Sequence, residues 1–140
     1  AELAGGFSLI GSWAYSDGEI TKDNRYQGNR PAFMPKTQAA LWLDYRVQSS
    51  DAWGGLSLGG GVRYTGQTYG DNANLFSVPS FTLVDAAIRY DLGAVGYEGA
   101  VLSLNVTNLA DRRYVSTCLN ASGCYWGPGR AVSAGLSYKW

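Results

Sequence analysis

The chain has 140 residues with 11 basic and 11 acidic side chains and no histidine. Balanced charge provides no basic excess for nucleic acid and no acidic run for a disordered tail, and without histidine a Ser-His or Cys-His nucleophile pair is excluded, which argues against an enzyme. Charged residues are only 16%, against about 25% in a soluble domain, while glycine reaches 19 residues and aromatics 14%.

No stretch approaches the ~20 apolar residues of a transmembrane helix. The mean hydropathy of −0.14 still suits a membrane β-barrel, because half of each barrel strand faces a polar lumen. No basic segment followed by an apolar one opens the chain, and Ala1 to Gly6 runs straight into a strand pattern. This start is expected to lie inside a longer protein.

Six segments alternate apolar and polar residues at period two, the mark of strands with two different faces. The first, Gly5 to Ser16, places Phe7, Leu9, Trp13 and Tyr15 against Ser8, Ser12 and Ala14, with Ile10 an exception on the polar side. The second, Pro35 to Val47, opposes Ala39, Leu41, Leu43 and Tyr45 to Gln38, Ala40, Asp44 and Arg46, with Trp42 as its exception. The third, Gly55 to Gly66, has Leu56, Leu58, Val62 and Tyr64 alternating with Ser57, Gly59, Gly61 and Arg63. The fourth, Pro79 to Leu92, sets Val84, Ala86, Ile88 and Tyr90 against Asp85, Arg89 and Asp91. The fifth, Ala100 to Leu109, sets Leu102, Leu104 and Val106 against Ser103, Asn105 and Thr107. The sixth, Ala131 to Trp140, sets Val132, Ala134, Leu136, Tyr138 and Trp140 against Ser133, Gly135, Ser137 and Lys139.

These segments are as long as tilted membrane strands, which need ~9–11 residues, and longer than the 5–6 usual in soluble sheets. Their connections alternate between long polar stretches at 17–34, 67–78 and 110–130 and short ones at 48–54 and 93–99. Outer-membrane barrels have that asymmetry, with the long loops outside the cell. The fold class read from this is all-β: an antiparallel transmembrane β-barrel segment. Six strands are too few to close, since about eight is the usual minimum, and an open edge in hydrocarbon leaves backbone groups unsatisfied. The chain is therefore part of a larger barrel, or it closes with copies of itself.

Charges of both signs on the polar faces, Asp44, Arg46, Arg63, Asp85, Arg89, Asp91 and Lys139, could pair across strands and set register. Gly59-Gly60-Gly61 is no phosphate loop, since no helix and no suitably placed lysine follow it; it suits sheet coiling or the close approach of a plug inside the barrel. Cys118 and Cys124 have too few companions for a metal site, and a local disulfide is the better reading, implying an oxidising compartment.

Several motifs resemble one family. Asn105-Val-Thr-Asn-Leu-Ala-Asp-Arg-Arg-Tyr114 resembles a motif on the penultimate strand of TonB-dependent receptors, with Ala110 where phenylalanine is common. Tyr26-Gln-Gly-Asn-Arg-Pro-Ala32, Arg63 to Asn74 and Tyr114 to Gly127 are similar to ferrichrome-type members of that family, in the same order and spacing. The alternating tail ending Leu136, Tyr138 and Trp140 resembles the signal that such barrels present to the barrel assembly machinery.

The resemblance implies a bacterial outer-membrane receptor for a ferric siderophore of hydroxamate type. Such a barrel has about twenty-two strands and a plugged lumen. This chain would supply the last six strands and the last three extracellular loops, without the plug through which TonB acts. The siderophore would be the transported ligand, with no cofactor bound directly and outer-membrane lipid around the wall. The family places a ligand-touching aromatic just after the first loop cysteine, and here that position is Leu119. Leu119, Tyr125 and Trp126 are thus the ligand-binding candidates, with no catalytic or metal-binding residue expected. Tyr125 and Trp126 could equally pack the loop or sit at the membrane interface. Two other readings stay open: an adhesive or structural barrel that closes by oligomerising, and a soluble β-sandwich that binds through its aromatics.

Overall fold

The computed structural model describes residues 1–120 and 123–140; for Leu119 and Asn120 the description stops at the backbone. Among the described residues ten strands form, in chain order: β1 (Phe7–Tyr15), β2 (Thr37–Arg46), β3 (Leu56–Thr65), β4 (Thr68–Tyr69), β5 (Ser77–Val78), β6 (Phe81–Asp91), β7 (Ala100–Thr107), β8 (Val115–Asn120), β9 (Gly123–Trp126) and β10 (Ala131–Tyr138). The six long ones make a single sheet in the order β1-β2-β3-β6-β7-β10, antiparallel throughout. Each lies within one of the six alternating segments. The last strand stops at Tyr138, two residues short of the expected end, so Trp140 lies beyond it and is fully exposed. The sheet is open, as a section of a larger barrel must be.

Directly paired residues share a face, so the register fixes the faces row by row. Phe7, Tyr45, Leu58, Ile88, Leu104 and Ala134 form one continuous row, and Leu9, Leu43, Gly60, Ala86, Val106 and Val132 the next. Gly11, Leu41, Val62 and Val84 follow, while Leu56, Tyr90, Leu102 and Leu136 flank the first row on its other side. The expected apolar face is therefore continuous, and a slip of one residue in any strand would break it. Nothing among the described residues covers it: Val84 is 37% exposed, Leu102 48% and Leu136 69%. Aromatics concentrate at its two ends. Trp13, Tyr15 and Tyr64 stand near the long loops, and Phe7, Tyr45, Tyr90 and Tyr138 near the short turns. Aliphatic rows between two aromatic girdles are the pattern of a membrane barrel wall.

The opposite face carries the charges, but among the described residues one pair of them meets. Arg63 donates to Asp85 through Nε at 2.5 Å and Nη2 at 3.0 Å, across β3 and β6. Asp44, Arg46, Arg89 and Asp91 form no ion pair among the described residues, so the general expectation of register-setting pairs holds at one place.

Ile10 and Trp42, the two exceptions to alternation, are direct partners across β1 and β2. The Trp42 indole lies over Gly59 and Gly61, where any added Cβ would collide with the ring. Its Nε1 donates to Asp44 Oδ2 at 3.3 Å. At Gly59 and Gly61 the close approach to the backbone is made by this indole, from the neighbouring strand of the same sheet. Gly60 points to the other face and faces open space apart from one distant carbonyl.

The two short turns each contain one turn of 3-10 helix, Ala52–Gly55 and Leu92–Val95. Aspartates start both: Asp51 Oδ1 accepts from Trp53 N at 3.1 Å and Asp91 Oδ1 from Gly93 N at 2.9 Å. Such side-chain caps satisfy donors that a helix start leaves free. The Tyr90 hydroxyl donates to Ala52 O at 2.8 Å and ties the end of β6 to the first of these turns.

Candidate functional site

All three long connections emerge from one end of the sheet, and each is built by side chains bonding to backbone. In the first, Asp23 Oδ1 accepts from Arg25 N at 2.7 Å and Tyr26 N at 2.8 Å. Those two amide donors, Arg25's first, hold the Asp23 carboxyl below the usual carboxylate range. Asp17 bridges Lys36 at 3.1 Å and Arg30 at 3.6 Å, and the Lys36 ammonium is the main cause of its lowered pKa. A depressed carboxylate contributes its stabilisation above the ordinary pKa, and that contribution is lost as pH falls through the lowered value. The Asp17 bridge at the base of this loop therefore loosens as the pH falls into the acid range.

The second connection folds over the first. Asn72 Oδ1 accepts from Ala32 N at 2.9 Å, and Asn72 O accepts from Asn29 Nδ2 at 2.9 Å. Asn74 Oδ1 accepts from Arg30 N at 2.9 Å while its Nδ2 donates to Arg30 O at 2.8 Å. Asn74 sits at φ 56°, a left-handed conformation that asparagine tolerates better than most residues. Phe33 N donates to Tyr69 O at 2.8 Å beside these contacts. The motifs at Tyr26–Ala32 and Arg63–Asn74 are thus two halves of one clasp.

The third connection begins at a knot around Asn108, which is 3% exposed and left-handed at φ 51°. Asn108 Oδ1 accepts from Arg112 N at 2.8 Å, and its Nδ2 donates to Arg112 O at 2.9 Å and Pro128 O at 3.2 Å. Its backbone N–H donates to Asp85 Oδ1 at 2.9 Å, so Asp85 joins Arg63 to the start of this loop. Asp111 Oδ1 accepts from Arg130 N at 2.8 Å and closes the returning strand. The motif Asn105–Tyr114 therefore stitches the loop to the sheet, which explains its residue types without a ligand.

Above the knot, β8 and β9 form a hairpin with Cys118 directly opposite Cys124, and the two are disulfide-bonded. The Tyr114 ring packs on Phe81 with centroids 4.3 Å apart and occupies the space that a side chain at Gly127 would need. Cys118, Val78 and Leu83 are buried, and β5, which carries Val78, packs against β8, which carries Cys118.

Of the ligand candidates, Tyr125 and Trp126 are exposed, at 55% and 70%. They are consecutive in β9, so they project to opposite faces of the hairpin. Trp126 lines an open hollow of about 520 Å³ with Asp111, Arg112, Arg113, Gly127 and Gly129. The side chain of Leu119 lies outside the described residues. No group of three or more potential metal ligands occurs among the described residues.

Sequence reasoning placed β4, β5, β8 and β9 inside irregular loops and missed the clasp made by Asn72 and Asn74. The signal was the run Asp71-Asn72-Ala73-Asn74, since Asn and Asp side chains readily bond nearby or approaching backbone.

The disulfide closes a short loop in a hairpin that already pairs, worth about 2 kcal/mol in the chain-entropy model. Reduction is expected to leave the six-stranded sheet folded and to loosen the hairpin. Hydrogen exchange should rise at 115–126 and stay unchanged at 100–107; equal loss in both segments would contradict this.

Residues 1–109 match the family described as TonB dependent receptor-like, beta-barrel. The chain is 48% identical over 139 residues to the ferrichrome outer membrane transporter/phage receptor of Escherichia coli K12, covering 99% of this chain and 18% of that one. It is 39% identical to the ferrioxamine receptor of Yersinia enterocolitica, covering 99% of this chain and 19% of that one. Among solved structures, the siderophore receptor PiuA from Acinetobacter baumannii superposes with a TM-score of 0.82 at 28% identity, over 99% of this chain and 20% of that one. The ferric citrate transporter FecA, unliganded, also gives 0.82, at 27% identity, over 96% of this chain and 21% of that one. The chain belongs to the TonB-dependent receptor β-barrel family, whose members reside in the bacterial outer membrane. It spans about a fifth of the length of the relatives it matches.

Proposed function

We propose that this chain is the C-terminal part of the wall of an outer-membrane receptor that takes up a ferric hydroxamate siderophore, driven through TonB. The observation that carries this reading is the 48% identity, running over nearly the whole chain, to a ferrichrome transporter, with a ferrioxamine receptor next at 39%. Both of those ligands are hydroxamates. The relatives are receptors and transporters, and transport of a bound iron chelate needs no catalytic residue in this segment. The long connections at 17–34, 67–78 and 110–130 face the cell exterior in this reading, and outer-membrane lipid covers the apolar face. The plug and its TonB contact belong to the rest of the receptor.

Tyr125 and Trp126 are the ligand contacts that this reading assigns, because rigid aromatics bury much area at low entropy cost. In the full-length receptor, Tyr125→Ala or Trp126→Ala is expected to weaken ferrichrome or ferrioxamine B binding about 5- to 30-fold, the range of an interface anchor. Titration of the purified receptor with each ferric siderophore measures it. An unmodified receptor that binds neither would overturn the hydroxamate reading; variants that bind both as well as the parent would remove these aromatics from the site.

Leu136, Tyr138 and Trp140 form the assembly signal in this reading, recognised by the barrel assembly machinery. Leu136 and Tyr138 pair with Leu102 and Ala100, whereas Trp140 makes no strand pair. Deleting Trp140 is expected to reduce folded receptor in the outer membrane, read by heat-modifiable gel mobility, while the folded fraction binds siderophore normally. Unchanged folded levels would make the tail an ordinary strand end.

A further inference from the structure

The ligand candidates sit on the third connection, yet the densest long-range bonding lies between the first and the second. Asn72 and Asn74 together place four side-chain or carbonyl bonds on residues 29–32, across 40 to 44 positions of sequence. The second connection in turn packs on the third, where Val78 of β5 and Cys118 of β8 are both 3% exposed. The three connections thus form a contiguous chain of contacts from Tyr26 to the Cys118–Cys124 hairpin.

We infer that Asn72 and Asn74 are positioning residues for ligand binding: touching no ligand, they hold the Tyr26–Ala32 segment against the second connection and so set the shape of the mouth next to Tyr125 and Trp126. This rests on the siderophore reading above. The chemistry explains why asparagine is needed at both places. Asn74 uses its amide as acceptor and donor at once, toward the N–H and the carbonyl of the same residue, Arg30. It also donates to Asp71 O at 3.2 Å, which ties the clasp to its own turn. Among the described residues the Asn72 side chain uses only its Oδ1, as acceptor, so an aspartate can replace it there. Asn74→Asp would keep the bond from Arg30 N and set a carboxylate oxygen against Arg30 O.

The test uses the full-length receptor in detergent and in the outer membrane. The variants are Asn72→Ala, Asn72→Asp, Asn74→Asp and the double Asn72→Ala/Asn74→Gly, the glycine preserving the left-handed backbone. Trypsin reads the clasp without any ligand, because Lys22 and Arg25 lie in the first connection. Ferrichrome and ferrioxamine B titrations read its consequence, and heat-modifiable mobility reads the barrel. The expected result is cleavage at Lys22 or Arg25 about tenfold faster in the double variant, with folded barrel unchanged and affinity reduced about tenfold. Asn72→Asp should behave as the parent, and Asn74→Asp should resemble the loss of the clasp.

Faster cleavage with unchanged affinity would overturn the positioning role, and unchanged cleavage would overturn the clasp itself. Loss of folded barrel in the double variant but not in Asn72→Ala would shift the reading to the single variant, whose cleavage and affinity must then move together or the inference fails. If the parent receptor bound neither hydroxamate, the functional reading would fall, while the protease result would still decide the clasp.

Discussion

Leu104→Arg in the full-length receptor is expected to cost about 2–4 kcal/mol of barrel stability, the range for a cation at the middle of a lipid-facing wall. Leu104 stands mid-strand in β7, in the unbroken row from Phe7 to Ala134. A guanidinium there must leave water or drag water in, and its neighbours Ile88 and Ala134 offer it no partner. Asn105→Arg, one residue along, turns to the opposite face, in the row of Ser8, Asp44, Gly59, Ala87 and Ser133. That substitution should stay within about 0.5 kcal/mol, as surface changes usually do. Urea unfolding of the receptor refolded into lipid bilayers distinguishes them. Equal tolerance at the two positions would mean that the apolar face does not meet lipid.

Asn108 is the second sensitive point. Substitution by alanine removes three side-chain hydrogen bonds of about 1 kcal/mol each and puts a Cβ-bearing residue without asparagine's tolerance at positive φ, adding roughly 1 kcal/mol. About 3–4 kcal/mol of local stability should go, enough to free the segment 108–130 from the sheet. Asn108→Gly relieves the backbone and should cost less. Asn108→Asp keeps the acceptor for Arg112 N but aims a buried carboxylate oxygen at the carbonyls of Arg112 and Pro128, and should be the worst of the three. Hydrogen exchange across 108–130 ranks them. An aspartate as mild as glycine would show that Nδ2 contributes little.

Asp85 links this knot to the wall, since the same carboxylate takes two bonds from Arg63 and one from Asn108 N. A charged residue on the inner face of β6 thus holds β3 and the third connection together. The hollow beside Trp126 lies just above, so any ligand contact made there inherits its geometry from Asn108 and Asp85.

Period-two alternation was enough to define the six long strands, their faces and the long-short order of their connections, because in a sheet with unlike faces each residue's side is set locally by chain geometry. The tail motif and the loop motifs pointed to the family for the same reason: they are short, contiguous and ordered along the chain. Other facts depended on residues far apart in sequence. Ile10 and Trp42 read as two separate exceptions until pairing put them side by side, with the indole over Gly59 and Gly61. Arg63 chose Asp85 from several acidic residues, a choice made by the diagonal offset of two strands. Asn72 and Asn74 looked like turn residues, and only the folding of one connection over another brought Arg30 and Ala32 within reach. Strand periodicity is a property of neighbours along the chain; the clasp, the knot and the bedded indole are properties of segments that meet only after the sheet has formed.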